Sequence, residues 1–311
     1  MTPLDTRAPR VLLHLRGLFT AEAADCWTRL RHALRAQGCE LLMIADESPQ
    51  GPLDVPLLRV LGDLEKPPPF PARAGWRPWL MQRRDFDIEP YVIRHRAWYG
   101  LEPDEADDAR LGEAIHHFDH FYRLALQTAR PALLLMFNGS MARERLCCDA
   151  AGLAGIPIRY LERGPFPGTL HLDDEGILAD SRIARETAWT WRDDSERAHA
   201  HALVADVEKR AASAHETWWD QPNSVGPEKL RARLRIPSGR TVVLFAGQVD
   251  RDAQNILFAP HFRDNLHALQ WFVSALNTRE DVFILGKHHP RSPTPPEEFA
   301  RAMGSRGVWL R

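Results

Sequence analysis

The sequence predicts an α/β protein built from two Rossmann-type domains, and three observations lead there. Apolar runs of five or six residues, too short for buried helices, alternate with stretches whose apolar residues recur every three or four positions. Where this alternation is most regular it reads strand, helix, strand, the unit that builds parallel sheets. The chain also has 311 residues, about twice the ~150 expected for one domain.

The first unit opens with an apolar run at 11–15, a helical period over 23–37 marked by Trp27, Leu30 and Leu34, and a second apolar run at 40–45. Beyond Gly51 the pattern dissolves into EKPPPFPARAGWRPW, whose prolines bar helix interiors and central strands. Residues near 50–80 are therefore expected to form a surface insertion. A long helix follows over 103–130, with Leu111, Ile115, Phe118, Tyr122 and Leu126 on one stripe. Next come a strand at 132–137, a turn at Asn138-Gly139, a helix at 141–153 and a strand at 156–161. A short strand at 170–172 leads into the turn signal Asp173-Asp174-Glu175-Gly176. A helix over 193–219 links the halves, so the domains are expected at 1–190 and 191–311. In the second, strands at 241–246 and 281–285 flank a helix at 261–276, and a helix at 297–303 precedes a strand at 308–310. That is about three strands, where a doubly wound nucleotide-binding domain has about five or six, so the C-terminal domain is expected to be truncated.

Composition excludes several function classes. Forty basic residues against 42 acidic give a net charge of −2, which rules out a nucleic-acid binder working by bulk positive charge. The longest apolar run, 132–137, falls far short of the ~20 residues that span a bilayer, and MTPLDTRAPR lacks the apolar core of a signal peptide. A cytoplasmic protein is expected, with a peripheral position at the inner membrane allowed. Four cysteines without a C-x-x-C spacing make neither a disulfide framework nor a zinc knuckle.

Unusual polar residues collect at predicted strand ends: Asn138-Gly139-Ser140, Glu162-Arg163-Gly164, Gly247-Gln248-Val249-Asp250-Arg251-Asp252 and Lys287-His288-His289-Pro290. Ligands of open parallel sheets bind at such ends, and two domains facing each other there would form a nucleotide-sugar cleft. Glu162 reads either as a carboxylate fixed at the sheet edge or as a solvated strand-end residue. Asp250 and Asp252 read either as a metal-holding D-x-D pair or as one working carboxylate beside a turn residue. Lys287, His288 and His289 offer donors to an anionic group, or are plain surface residues. Glu113, His116, Asp119 and His120 share a helix face with metal-ligand spacing. No second such helix completes a site, and a solvated or acceptor-facing surface is expected. Trp218 and Trp219 could stack on a sugar or serve as packing anchors.

Four segments in order, ALLLMFNGS, IPIRYLERGPFPGTLHLDDEGI, VVLFAGQVDRDAQN and ILGKHHP, resemble the capsular-polysaccharide biosynthesis family that includes the retaining β-Kdo transferases. The resemblance covers residues 131–290. It implies a GT-B-like fold with two domains facing a cleft and CMP-Kdo as donor. No metal and no cofactor are expected, and the acceptor would be a glycan or glycolipid. Carried over, it makes Asp252 the nucleophile, with Asp250 its neighbour and Glu162 a further catalytic carboxylate. Gly247, Gln248 and His289 become donor contacts, and Arg251, Lys287 and His288 join them as candidates on their own chemistry as partners for anionic groups. Asn138, Arg163 and Arg291 become acceptor or substrate contacts, the arginines suiting the sugar carboxylate by bidentate pairing. Family members often have Asp where this chain has Arg163. Two alternatives stand beside this reading: a transferase using another nucleotide sugar, and a non-catalytic glycan-binding remnant.

Overall fold

The structure is a computed structural model that describes residues 8–15, 21–45, 54–59, 87–99, 105–164, 170–186, 191–213, 227–250, 252–259 and 261–310. The chain divides into two compact units, Met1–Thr187 and Ala188–Arg311.

The first unit carries β1 (Arg10–Leu15), α1 (Ala21–Ala36), β2 (Glu40–Ala45), β3 (Leu57–Arg59), α2 (Glu89–Tyr99) and α3 (Glu105–Ala129). It continues with β4 (Leu133–Phe137), α4 (Ala142–Leu153), β5 (Ile158–Arg163), β6 (Leu170–Asp173) and the short α5 (Arg182–Arg185). The sheet order is β3-β2-β1-β4-β5-β6. All neighbours are parallel except β6, which runs antiparallel to β5. The order reverses between β1 and β4, the switch point of a doubly wound sheet.

Strand residues of even and odd number sort onto opposite faces, as a two-residue period requires. Leu12, Leu42, Ile44, Leu134 and Met136 pack with α2, α3 and α4. Val11, Leu13, Leu41, Met43 and Leu135 pack on the other side with Trp27 of α1. Burial on both faces explains why these strands read as continuous apolar runs. Each fully buried leucine contributes ~1.5–3 kcal/mol.

Part of the expected surface insertion belongs to the core. Leu57–Arg59 pairs in parallel with Met43–Ala45, and the Met43 N–H donates to the Pro56 carbonyl at 2.9 Å. The prolines around it confine this strand to the sheet edge without abolishing it. Fully buried Arg31 donates to the Asp54 carboxylate at 2.8 Å and carbonyl at 2.7 Å, tying α1 to the start of this edge strand. Residues 60–86 of the insertion lie outside the described residues.

The Glu113 to His120 face also departs from expectation. His116 and Asp119 are buried, and the Asp119 carboxylate accepts from Arg123 Nε one turn on, at 3.0 and 3.1 Å. His116 and Asp119 are part of the packing, the buried carboxylate having a guanidinium to pair with, while Glu113 is exposed as expected. Among the described residues no group of three His, Cys, Asp or Glu side chains is placed to hold a metal ion.

The second unit contains α6 (Asp194–Ser213), α7 (Pro227–Arg233), β7 (Thr241–Ala246), α8 (Ala253–Phe258), α9 (Asn265–Ala275), β8 (Val282–Lys287), α10 (Pro296–Met303) and β9 (Gly307–Leu310). Its three strands are parallel in the order β7-β8-β9. Two crossovers in the same direction place α9 and α10 on one face, where Leu269, Val282, Ile284, Phe299 and Met303 form the core. Trp309 stacks on Phe299 with ring centres 4.4 Å apart. Trp218 and Trp219 lie outside the described residues. Among the described residues no helix is long and apolar enough to cross a membrane.

Candidate functional site

In the first unit the site is built where β4 and β5 end side by side. Asn138 and Gly139 both adopt left-handed backbone, φ 70° and 86°, which turns the chain sharply out of β4. A side chain at Gly139 would also meet the Tyr160 ring at 2.8 Å, so this turn needs glycine twice over. The Asn138 N–H donates to the Leu161 carbonyl at 2.8 Å, carrying the sheet ladder one residue past the strand. Its side chain then links two elements: Oδ1 accepts the Ser140 N–H at 3.0 Å and Nδ2 donates to Glu162 Oε2 at 3.0 Å. The other oxygen, Glu162 Oε1, accepts the Arg163 N–H at 2.8 Å. The Glu162 carboxylate is thus oriented at the sheet edge by both oxygens. Residues 165–169 after it lie outside the described residues.

Beside this loop is a polar cluster that sequence reasoning missed. Arg94 of α2 donates to the Ser140 carbonyl at 3.1 Å. The Tyr91 hydroxyl donates to the Asp149 carboxylate, which also pairs with Arg145 at 3.2 Å. Burial, reinforced by Asp149, raises the Tyr91 phenol above its ordinary value, and burial does the same to Tyr160. Burial pushes the Cys148 thiol up to about 12, against the opposing hydrogen bond with Tyr160. These groups keep their protons near neutral pH and serve as hydrogen-bond donors, not as bases or nucleophiles. The legible signal was the i, i+4 pair Arg145 and Asp149 just past the loop, and Tyr160 on the same strand face as Glu162.

Across β6, His171 stands directly opposite Glu162. The Asp173 turn secures that strand: Oδ1 accepts the N–H groups of Glu175 at 2.8 Å and Gly176 at 3.1 Å, and Oδ2 accepts the Arg182 N–H at 2.9 Å. Burial opposes the charge on Asp173, yet these three bonds hold its carboxyl below the usual value.

In the second unit β7 and β8 end level, with Ala246 opposite Lys287. The Gly247 N–H donates to the Lys287 carbonyl at 2.9 Å, and a Cβ on Gly247 would sit 2.9 Å from that same oxygen. Asp252 caps α8, its Oδ1 accepting the Gln254 N–H at 2.9 Å. Asn255 Nδ2 donates to the Val249 carbonyl at 2.9 Å and closes the turn. Asp250 Oδ1 accepts the Asn265 backbone N–H at 3.0 Å, and the Asn265 side chain bonds both Asp250 and the Gln248 backbone.

The neighbouring strand end presents Lys287 to solvent, while the two histidines differ. The His288 ring packs on Phe299 and Trp309, and its Nδ1 accepts the Trp309 indole N–H at 3.4 Å. Burial, then the charges of Lys287 and His289, lower its pKa, so His288 is neutral near pH 7. His289 Nδ1 accepts the Arg291 N–H at 3.1 Å, which bends the chain after β8. Gly247, Gln248, Asp250, Asp252, Lys287, His288, His289 and Arg291 are thus gathered at one carboxyl edge, and Asn138, Glu162 and Arg163 at the other sheet's edge. Arg251 lies outside the described residues.

No protein-family model matches the chain. Among curated proteins it is similar to Protein FixF of Sinorhizobium fredii (strain NBRC 101917 / NGR234), 26% identical over 161 residues, covering 51% of this chain and 34% of FixF. The chain therefore spans about a third of the length of that curated relative. Among solved structures, a UDP-N-acetylglucosamine 2-epimerase from Listeria monocytogenes is 12% identical, covering 98% of this chain and 69% of that one, with a TM-score of 0.31. The β-Kdo 2,7 transferase KpsC of Thermosulfurimonas dismutans is 16% identical, covering 73% and 65%, with a TM-score of 0.38.

Proposed function

We propose that the chain is a GT-B-type glycosyltransferase that moves Kdo from CMP-Kdo to a glycan or glycolipid hydroxyl with retention of configuration. The observation that carries this reading is the pairing of two loops, Gly247–Asp252 and Lys287–His289, on adjacent parallel strand ends. That edge is where doubly wound sheets receive nucleotides. Lys287 and His289 would meet the donor phosphate, and Arg251 and Arg291 are the candidates for the sugar carboxylate.

Kdo reacts at a fully substituted anomeric carbon, so its transition state is strongly oxocarbenium-like and suits a carboxylate nucleophile. In the first step an Asp252 carboxylate oxygen bonds to that carbon while the bond to the phosphate oxygen breaks, and CMP leaves with the electron pair. Asp252 Oδ1 accepts the Gln254 N–H, so Oδ2 is assigned as the attacking atom. In the second step the acceptor hydroxyl bonds to the same carbon, the Asp252 ester bond breaks, and the freed carboxylate takes the hydroxyl proton. Two inversions restore the original configuration. In the first unit the Asn138 Nδ2 amide on Glu162 Oε2 and the Arg163 backbone N–H on Oε1 set the direction of the Glu162 carboxylate, the further candidate catalytic group.

The test uses the full chain with CMP-Kdo and a panel of glycan acceptors. CMP is expected to raise the unfolding temperature, as a ligand of the folded state must. Asp252→Asn is the informative variant, because the amide oxygen still caps α8 whereas Asp252→Ala also removes the cap, at a cost of about 1 kcal/mol. Asp252→Asn is expected to bind CMP and lose most turnover, and a sugar adduct on Asp252 should be trapped by mass spectrometry. Near-normal turnover by Asp252→Asn without deamidation would end this assignment. Protection by UDP or GDP sugars but not by CMP would select another nucleotide sugar. Ligand binding unchanged by Asp252→Asn, with no turnover by either protein, would select a glycan-binding remnant.

A further inference from the structure

The first turn of α9 reaches back to the end of β7 through one side chain. Asn265, 7% exposed, is the first helical residue after the Asp264 cap. Its Oδ1 accepts the Gln248 N–H at 3.0 Å, and its Nδ2 donates to the Gln248 carbonyl at 2.9 Å and to the Asp250 carboxylate. Its backbone N–H donates to Asp250 Oδ1 at 3.0 Å. Both amide hydrogens and the amide oxygen are engaged, as burial requires, and these bonds all go to Gln248 and Asp250.

The geometry follows from the strand pleat. The Gly247 N–H is turned toward β8, so the Gln248 N–H and carbonyl are turned to the opposite flank. β7 is the edge of its sheet among the described residues, so no strand meets that flank. Asn265 supplies there the acceptor and donor that a neighbouring strand would supply. Aspartate has no donors to offer at this position, serine lacks the second group, and glutamine is one methylene too long. The Asp250 carboxylate, drawn to the same amide and to the helix N–H, is fixed with it.

We infer that Asn265 is the positioning residue of the loop that follows β7: it sets the directions of Gln248 and Asp250. The effect on donor affinity rests on the CMP-Kdo reading above, whereas the effect on the loop does not.

Asn265→Ala in the full chain tests this with two readouts. Amide hydrogen exchange over 247–250 is expected to speed up by about tenfold or more, as buried bonds to Gln248 and Asp250 are lost, while exchange over β8 stays as in the wild type. CMP affinity, measured by titration calorimetry, is expected to fall by about tenfold through the displaced loop. Unchanged exchange over 247–250 would overturn the inference, and so would an equal acceleration over β8, which would mean general loosening. Asn265→Asp keeps the volume and the acceptor for the Gln248 N–H but sets an oxygen against the Gln248 carbonyl and Asp250. It should show the same local acceleration, and it decides the question if the alanine variant does not fold. Absence of CMP binding by the wild type would remove the CMP-Kdo reading and leave the exchange result to judge Asn265.

Discussion

Replacing Asp173 by asparagine probes how the first unit holds β6 against Glu162. The Asp173 side chain, buried at the end of β6, accepts three backbone N–H groups, from Glu175, Gly176 and Arg182. In Asp173→Asn the oxygen can keep Glu175 and Gly176, but those bonds fall from charge-assisted strength of ~1.5–3 kcal/mol to neutral strength of ~0.5–1.5 kcal/mol. The Arg182 N–H, at 2.9 Å from Oδ2, would instead face an amide NH₂ and lose its acceptor. Allowing for non-additivity within one cluster, the cost is about 2–4 kcal/mol, a large part of an ordinary stability of ~5–15 kcal/mol. The assay is urea unfolding of both proteins from neutral pH down to about pH 3. The folded-state pKa of Asp173 is depressed, so its contribution is fully present above the unfolded value of 3.8 and is lost as pH falls through the lower folded value. The gap between wild type and variant should therefore shrink below about pH 4. A gap under ~0.5 kcal/mol, or one that stays the same through the acid range, would refute the reasoning.

Gly139→Ala should destabilise the first unit by about 2–4 kcal/mol, because φ 86° is strained for alanine and the new methyl would meet the Tyr160 ring at 2.8 Å. Thermal unfolding checks it, and a variant as stable as the wild type would show that the turn has another conformation. Cys148 should resist alkylation in the native protein at pH 8, since burial holds its thiol at about 12, while half-buried Cys26 and Cys39 react. Counting labelled cysteines by mass spectrometry before and after denaturation decides it.

The long elements were legible because their periods are unambiguous. The run at Leu133–Phe137 is apolar on consecutive residues, as a strand buried on both faces must be, and Thr241–Ala246 reads alike although its Leu244 is exposed. The stripe from Leu111 to Leu126 is a helix by spacing alone. What escaped was short or masked by composition. Leu57–Arg59 has three residues and sits among prolines, so its strand character rests on pairing with β2, a long-range contact that no local pattern encodes. The His116 and Asp119 face looked solvated because charge is usually exposed, and the Arg123 partner one turn away helps make the burial of Asp119 tolerable.

The site was legible in its loops and illegible in its supports, for a physical reason. Residues that project from strand ends into turns break the apolar rhythm, so Asn138, Glu162, Asp250 and Asp252 stand out in one dimension. Residues that hold them sit elsewhere in the sequence: Asn265 is 17 residues beyond Gln248, and Arg94 is 46 residues before Ser140. Asn265 looks locally like an ordinary residue in the first turn of a helix, and its function exists only once α9 is folded against β7. The same folding changes how the D-x-D pair must be read. Asp250 Oδ1 takes the Asn265 N–H and Asp252 Oδ1 takes the Gln254 N–H, so each carboxylate already secures the start of a helix. Both supports run through Oδ1, so the D-x-D spacing that suggests a metal pair in one dimension is, in the fold, the spacing of two helix-start supports.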